Sequence, residues 1–245
     1  MLRSLPEASS IDRPKLPPGS RIYAIGDVHG RVDLLQETLL KIDRHQNAYP
    51  IANAIEVMLG DYIDRGPSSF DVIELLSTRV RDGTICLKGN HETFLLDFLQ
   101  DPSVFTPWQH CGGIETLVSY GIEPPVNPSL KKQEKLAAEL AKRLPTHHYK
   151  FLTSLPLSFT LGDYFFVHAG VRPGIDLSHQ NAEDLLWIRD DFLSYEGSFG
   201  KIVVHGHTPV SEPEIRNNRI NLDTAAFASG NLTCAVLEGD QIMFL

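Results

Sequence analysis

Three short apolar runs in the first half of the chain, residues 21–25, 54–59 and 84–88, each stop at a glycine-containing loop. Apolar residues at helical spacing follow each loop: Leu34, Leu35, Leu39 and Ile42, then Val72, Leu75, Leu76 and Val80, then Phe94, Leu95, Phe98 and Leu99. Short runs bounded by glycine read as strands, and stripes at helical spacing read as amphipathic helices. The repeated order strand, loop, helix predicts a βαβαβα half on a parallel sheet, an α/β class fold.

The second half has a different texture. Residues 157–161, 164–168, 201–205, 219–223, 232–237 and 242–245 are strand candidates, with Gly162-Asp163, Asn217-Asn218 and Gly239-Asp240 as hairpin turns. They predict a second, mixed or antiparallel sheet. Between the halves, residues 102–153 read as a helical insert, in which Leu136, Leu140 and Leu144 form a stripe opposite Lys131, Lys132, Glu134 and Lys135. This insert is expected to cap one side of the site. Residues 1–20, with Pro6, Pro14, Pro17, Pro18 and Ser9-Ser10, read as a flexible leader without a secretory signal's apolar core. Residues 21–245 are expected to form one domain, which 245 residues at 42% apolar composition can support.

Five loop segments carry the chemistry: Gly26-Asp27-Val28-His29-Gly30, Gly60-Asp61-Tyr62-Ile63-Asp64-Arg65-Gly66, Gly89-Asn90-His91-Glu92, His168-Ala169-Gly170 and His205-Gly206-His207-Thr208. Their oxygen and imidazole donors suit hard or borderline divalent metals. In an open α/β sheet such loops converge beyond the carboxyl ends of the strands, so their separation along the chain is no obstacle. Glycines allow sharp turns beside a metal, and the following helices direct positive ends at phosphate. Phosphate-ester chemistry is the first expectation.

A net charge of -9 argues against nucleic acid or an anionic membrane as partner. It does not exclude an anionic substrate, because two divalent cations reverse the local sign. Cys86, Cys111 and Cys234 are few and widely spaced, which points to a reducing, cytoplasmic compartment.

In these five segments the chain resembles the phosphoprotein phosphatases, the PPP group of the calcineurin-like metallophosphoesterases, and above all their compact bacterial and phage-type members. The likeness spans roughly residues 21–237, with most of the insert outside it. It implies a two-sheet β-sandwich flanked by helices. It also implies two divalent metal ions per chain, manganese first with iron or zinc as alternatives. By the same likeness Asp27 and His29 bind one metal, Asp61 bridges both, and Asn90, His168 and His207 hold the second. A metal-bound hydroxide would attack the phosphorus, Arg65 and Arg189 would bind the phosphate, His91 would protonate the leaving oxygen, and Asp64 would orient His91.

Two local departures bear on the substrate. His168-Ala169-Gly170 followed by Val171-Arg172-Pro173 looks like dinucleoside tetraphosphate hydrolases, whereas Asp64-Arg65 and Gly89-Asn90-His91-Glu92 look like protein phosphatases. The reading from sequence ranks phosphoserine, phosphothreonine or phosphotyrosine in a protein or peptide first. Phosphoanhydride or phosphodiester hydrolysis ranks second, and a non-catalytic phosphopeptide-binding module is disfavoured by the intact His91 and Asp64. The protein is expected to be a monomer. Asp223 and His205 are secondary candidates, and Ala225 stands where phage-type relatives commonly carry glycine. Trp108 is expected to pack within the insert.

Overall fold

The computed structural model describes residues 13–245 and the backbone of residues 3–4. The first half runs β1 (Arg3–Ser4), β2 (Ser20–Ile25), α1 (Val32–Ala48), β3 (Asn53–Met58), α2 (Ser69–Arg79), β4 (Ile85–Cys86) and α3 (Asn90–Gln100). The insert follows as α4 (Phe105–His110), α5 (Gly113–Ser119), α6 (Leu130–Arg143) and α7 (Thr146–Ser154). The second half contains β5 (Ser158–Leu161), β6 (Tyr164–Val167), α8 (Ala182–Trp187), α9 (Asp190–Leu193), β7 (Ile202–His205), β8 (Glu214–Ile215), β9 (Arg219–Asn221), α10 (Ala226–Ser229), β10 (Cys234–Glu238) and β11 (Gln241–Phe244).

These strands form two mixed sheets, ordered β1-β11-β10-β2-β3-β4 and β5-β6-β7-β9-β8. The parallel β2, β3 and β4 anticipated from the sequence lie together in the first sheet. The last two strands do not join the second sheet. Instead β10 pairs antiparallel with β2, from Cys234 opposite Ile25 to Glu238 opposite Arg21, and β11 hairpins onto β10. A directly opposed charge pair, Arg21 Nε to Glu238 Oε2 at 2.6 Å, spans the two strands at the end of that register. All three expected hairpin turns are present, and the two-residue β8 was not anticipated.

Both faces of the first sheet are covered, which explains its continuously apolar strands. Ile22 and Ala24 of β2 face the second sheet, packing in one core with Val57, Tyr164, Phe166, Val204 and Ile220. Their neighbours Tyr23 and Ile25 face the helices, in a core with Leu35, Leu39, Ile42, Val72, Leu76, Leu95 and Phe98. The insert's Leu136, Leu140 and Leu144 belong to that helical core as well. On the far side, Leu185, Ile188 and Phe192 cover Phe165, Val167 and Val203 of the second sheet. This is the sandwich with flanking helices.

Of the expected leader, residues 1, 2 and 5–12 lie outside the described residues. Within 13–19, Lys15 N donates to Asp163 Oδ2 at 2.9 Å, Leu16 N donates to Gly239 O at 3.1 Å, and the Leu16 side chain is buried. No helix among the described residues is long and apolar enough to cross a membrane.

Candidate metal centre

All five segments sit at carboxyl ends of strands: Asp27 and His29 after β2, Asp61 after β3, Asn90 after β4, His168 after β6 and His207 after β7. Backbone bonds stitch the loops together. Val28 N and His29 N both donate to Asp61 O, Gly30 N to Tyr62 O, and Gly206 N to His168 O. Two glycines are required by close approach: a Cβ on Gly89 would lie 2.1 Å from Asp61 Oδ1, and one on Gly206 would lie 2.0 Å from Asp27 Oδ1. Any side chain there would displace a carboxylate.

One donor set gathers around Asn90, whose Oδ1 lies 2.8 Å from His168 Nε2 and 2.9 Å from His207 Nδ1. The two imidazole nitrogens are 3.2 Å apart, and Asp61 Oδ2 lies 3.4 Å from His168 Nε2. The same Asp61 oxygen is 3.6 Å from His29 Nε2, so it faces a second set. There His29 Nε2 and Asp27 Oδ1 are buried with no hydrogen-bond partner. The tautomers follow from the opposite ring atoms. His29 Nδ1 lies 2.8 Å from Ile63 O and His168 Nδ1 2.9 Å from Leu59 O, and donating to these carbonyls turns each Nε2 inward, with a free lone pair at His29 and a proton at His168 that a bound cation would displace.

Charge argues the same way. Asp27, Asp61, Glu92 and Asp223 are all buried here. Burial, then Asp223, push Asp27 well above the usual carboxylate range. Burial also raises Asp61, but His168 and His91 outweigh it and hold this carboxylate well below its ordinary value. Burial lowers His168, yet Asp61 drives it up to about 10. Burial holds His29 at about 3, and burial with the His168 charge holds His207 at about 2, so both stay neutral donors. Orphaned inward atoms and crowded carboxylates are the surroundings that divalent cations satisfy, and the donor set contains no thiolate.

His91 stands at the edge of this group. Its Nδ1 lies 2.7 Å from Asp64 Oδ2, while its Nε2 lies 3.7 Å from Asp61 Oδ2 and 3.3 Å from an Arg65 guanidinium nitrogen. Burial pulls its pKa down, but Asp61 and Asp64 outweigh burial and raise it. Arg65 also lies over the Phe227 ring at 4.9 Å. Arg189 is exposed at the start of α9, and its charge is felt at His207. His205 is not in the cleft: it is fully buried against Phe192, and burial lowers it to about 3. Asp223 is buried close enough to bear on Asp27, and its Oδ1 caps Ala225 N at 2.9 Å.

The supporting roles of three residues were not read from the sequence, although Glu92 stands within one of the five segments and Trp108 was expected to pack in the insert. Glu92 accepts from Asp61 N, Tyr62 N and Gly89 N at 2.8 to 3.0 Å, tying two ligand loops together. An acidic residue in the first turn of a helix is the signal that could have suggested it. Trp108 and Thr116, both in the insert, bond to Asp64 across 44 and 52 residues, and no local signal announces that. Arg172, part of the nucleotide-hydrolase-like segment, is occupied by Asp184 and Asp191 and so braces α8 against α9.

The calcineurin-like phosphoesterase pattern matches residues 20–230. The chain belongs to that family. It is similar to the asymmetrical bis(5'-nucleosyl)-tetraphosphatase PrpE of Halalkalibacterium halodurans, at 28% identity over 237 residues, covering 85% of this chain and 87% of the relative. A solved structure described as a candidate diadenosine tetraphosphatase matches with TM-score 0.65 at 22% identity, over 93% of this chain and 94% of that one. A cold-active protein-tyrosine phosphatase from a psychrophilic Shewanella matches with TM-score 0.56 at 17% identity, over 98% and 83%. The structural likenesses establish the fold, and family membership makes this chain a metallophosphoesterase.

Proposed function

We propose that this metallophosphoesterase hydrolyses a phosphoanhydride bond of dinucleoside tetraphosphates, with diadenosine tetraphosphate as the representative substrate. The observation that carries the reading is the similarity to a relative of that name along 85% of the chain. It reverses the order preferred from sequence, where Asp64-Arg65 and Gly89-Asn90-His91-Glu92 placed phosphoproteins first. The surface beside the site supports the revision. Trp187 is 36% exposed, packs edge-on against Phe94 at 5.5 Å and lies 6.2 Å from the His207 ring, so it offers a flat apolar surface beside the metal centre. Stacking a base on an aromatic ring is worth about 1–3 kcal/mol.

In this reading Asp27, His29 and Asp61 would hold one divalent cation, and Asp61, Asn90, His168 and His207 the other. When bound, the two cations supply an activated water nucleophile and positive charge for the phosphoryl oxygens. Manganese, iron and zinc all suit these donors. Arg65 binds the phosphoryl oxygens through a planar guanidinium, with Arg189 as a second arm from α9. The attacking water gives one proton to solvent as its oxygen bonds to phosphorus, while the bond to the leaving oxygen breaks and its electron pair passes to that oxygen. His91 gives its Nε2 proton to the leaving oxygen and is reprotonated from solvent. General acid catalysis of this kind contributes about 10² to 10⁴-fold.

Turnover of diadenosine tetraphosphate, a phosphoserine peptide and a phosphotyrosine peptide at equal concentration tests the substrate. We expect kcat/KM to favour the dinucleotide by at least about tenfold, a margin of about 1.4 kcal/mol. A preference for either peptide restores the phosphoprotein reading, which the two motifs named above favour.

A further inference from the structure

The helical insert reaches the catalytic loop at three points. Trp108 Nε1 donates to Asp64 Oδ2 at 2.8 Å, the oxygen that also faces His91 Nδ1. Thr116 Oγ1 donates to the other oxygen, Asp64 Oδ1, at 2.5 Å, and accepts from Asp64 N at 2.9 Å. Gly112 O accepts from Arg65 N at 3.1 Å. All the groups around the Asp64 carboxylate are buried, with Asp64, Trp108 and Thr116 each 0% exposed.

We infer that Trp108 and Thr116 are positioning residues for proton donation, fixing the Asp64 carboxylate so that it holds His91 with Nε2 turned to the leaving oxygen. The inference rests on the reading of His91 as the acid. With His91 as its only partner, Asp64 could rotate and carry the imidazole with it. Donors on both oxygens remove that freedom, as outer-shell partners do for metal-binding histidines. The backbone makes the restraint necessary. Asp64 and Arg65 are consecutive left-handed residues, at φ 71° and 67°, a conformation that persists only where surrounding contacts impose it. Packing accounts for the indole ring, which lies 5.2 Å from Phe98, but not for an N–H directed at a buried carboxylate.

The test is a double-mutant cycle on metal-loaded protein, using whichever of p-nitrophenyl phosphate and diadenosine tetraphosphate the wild type turns over faster. Trp108→Phe keeps an aromatic ring and removes the N–H, and Thr116→Val keeps the shape and removes the hydroxyl. Each is expected to lower kcat on the order of 10- to 100-fold, with KM within about twofold, and Thr116→Ser should restore most of the loss. In a His91→Asn background the same substitutions should cost less than about twofold, because the group they position is gone. Wild-type kcat in both Trp108→Phe and Thr116→Val overturns the inference. So does a loss that persists undiminished beside His91→Asn, which marks a purely structural role. Wild-type turnover by His91→Asn alone instead removes the acid assignment, and the two failures are thereby distinguished.

Discussion

Seven non-glycine residues of the described chain have positive φ, and five of them, His29, Asp61, Asp64, Arg65 and His207, belong to the site. Each such residue costs about 1–2 kcal/mol, so the loops need compensating bonds of the kind Glu92 and Thr116 provide. A sixth is Ala225, at φ 52°. Sequence had marked it as a replacement for a common glycine, and the structure supplies the reason glycine is favoured there. Ala225→Gly should therefore leave stability unchanged or raise it by up to about 1 kcal/mol, because relief of the left-handed strain is offset by about 0.4–1 kcal/mol of added freedom in the unfolded chain. Urea unfolding measures this, and a clear loss would mean that the Ala225 methyl packs more usefully than its backbone suggests. Asp27, His29, Asp61, Asn90, His168 and His207 could be named from sequence because their five segments resemble those of a known family, and the structure brings these residues together at neighbouring strand ends. Trp108 and Thr116 could not, since their partner is distant in sequence and ordinary core packing uses the same residue types.

Helical stripes were legible at the scale of elements because a helix writes its buried face locally. Leu35, Leu39 and Ile42 are buried as the spacing requires, whereas Val80 is 39% exposed. The helix α2 stops one residue earlier, and the chain turns through Gly83 at φ 101°. Sheet membership was not legible in the same way, since β10 and β2 are far apart in sequence and their pairing leaves no local trace. Glu56 is another silent feature. It lies within β3 on the face covered by helices, 9% exposed, and is satisfied by Arg79 Nε and Nη2 at 2.7 and 2.6 Å and by Thr84 Oγ1 at 2.9 Å. Removing the partner of a buried charge costs about 3–5 kcal/mol when burial is complete. With the Arg79 side chain 24% exposed, Arg79→Ala should cost about 2–4 kcal/mol, and a Glu56→Gln, Arg79→Leu pair should recover part of it. Denaturant midpoints decide the matter, and a single-mutant loss below about 1 kcal/mol would show that solvent already screens the pair.

Across the whole molecule, the insert packs into the helical core and also makes buried polar contacts with the body at the Asp64 loop and at the outer surface of α2. At the second, His148 of α7 is 0% exposed, with Nε2 2.9 Å from Glu74 Oε2 and Nδ1 2.9 Å from the Tyr120 hydroxyl. His147 approaches the same Glu74 oxygen at 2.8 Å. Burial lowers His148 from its ordinary 6.5, and the neighbouring Glu74 only partly opposes this. The sign follows directly. Just below pH 6.5 the unfolded chain takes up a proton at this position that the folded protein resists, so stability falls as pH drops through that value. Glu74 works in a different window: His147 and His148 lower its pKa, so its contribution is present above its ordinary 4.5 and disappears as pH falls through the depressed folded value. His148→Gln separates the effects, because the amide can still donate to Glu74 and accept from Tyr120 but carries no titratable proton. Unfolding free energies at pH 7.5 and 5.5 should fall less for this variant than for the wild type. Histidines elsewhere contribute equally to both proteins and cancel in the difference. Parallel losses would mean that protonation of His148 is not what weakens the fold between these two pH values.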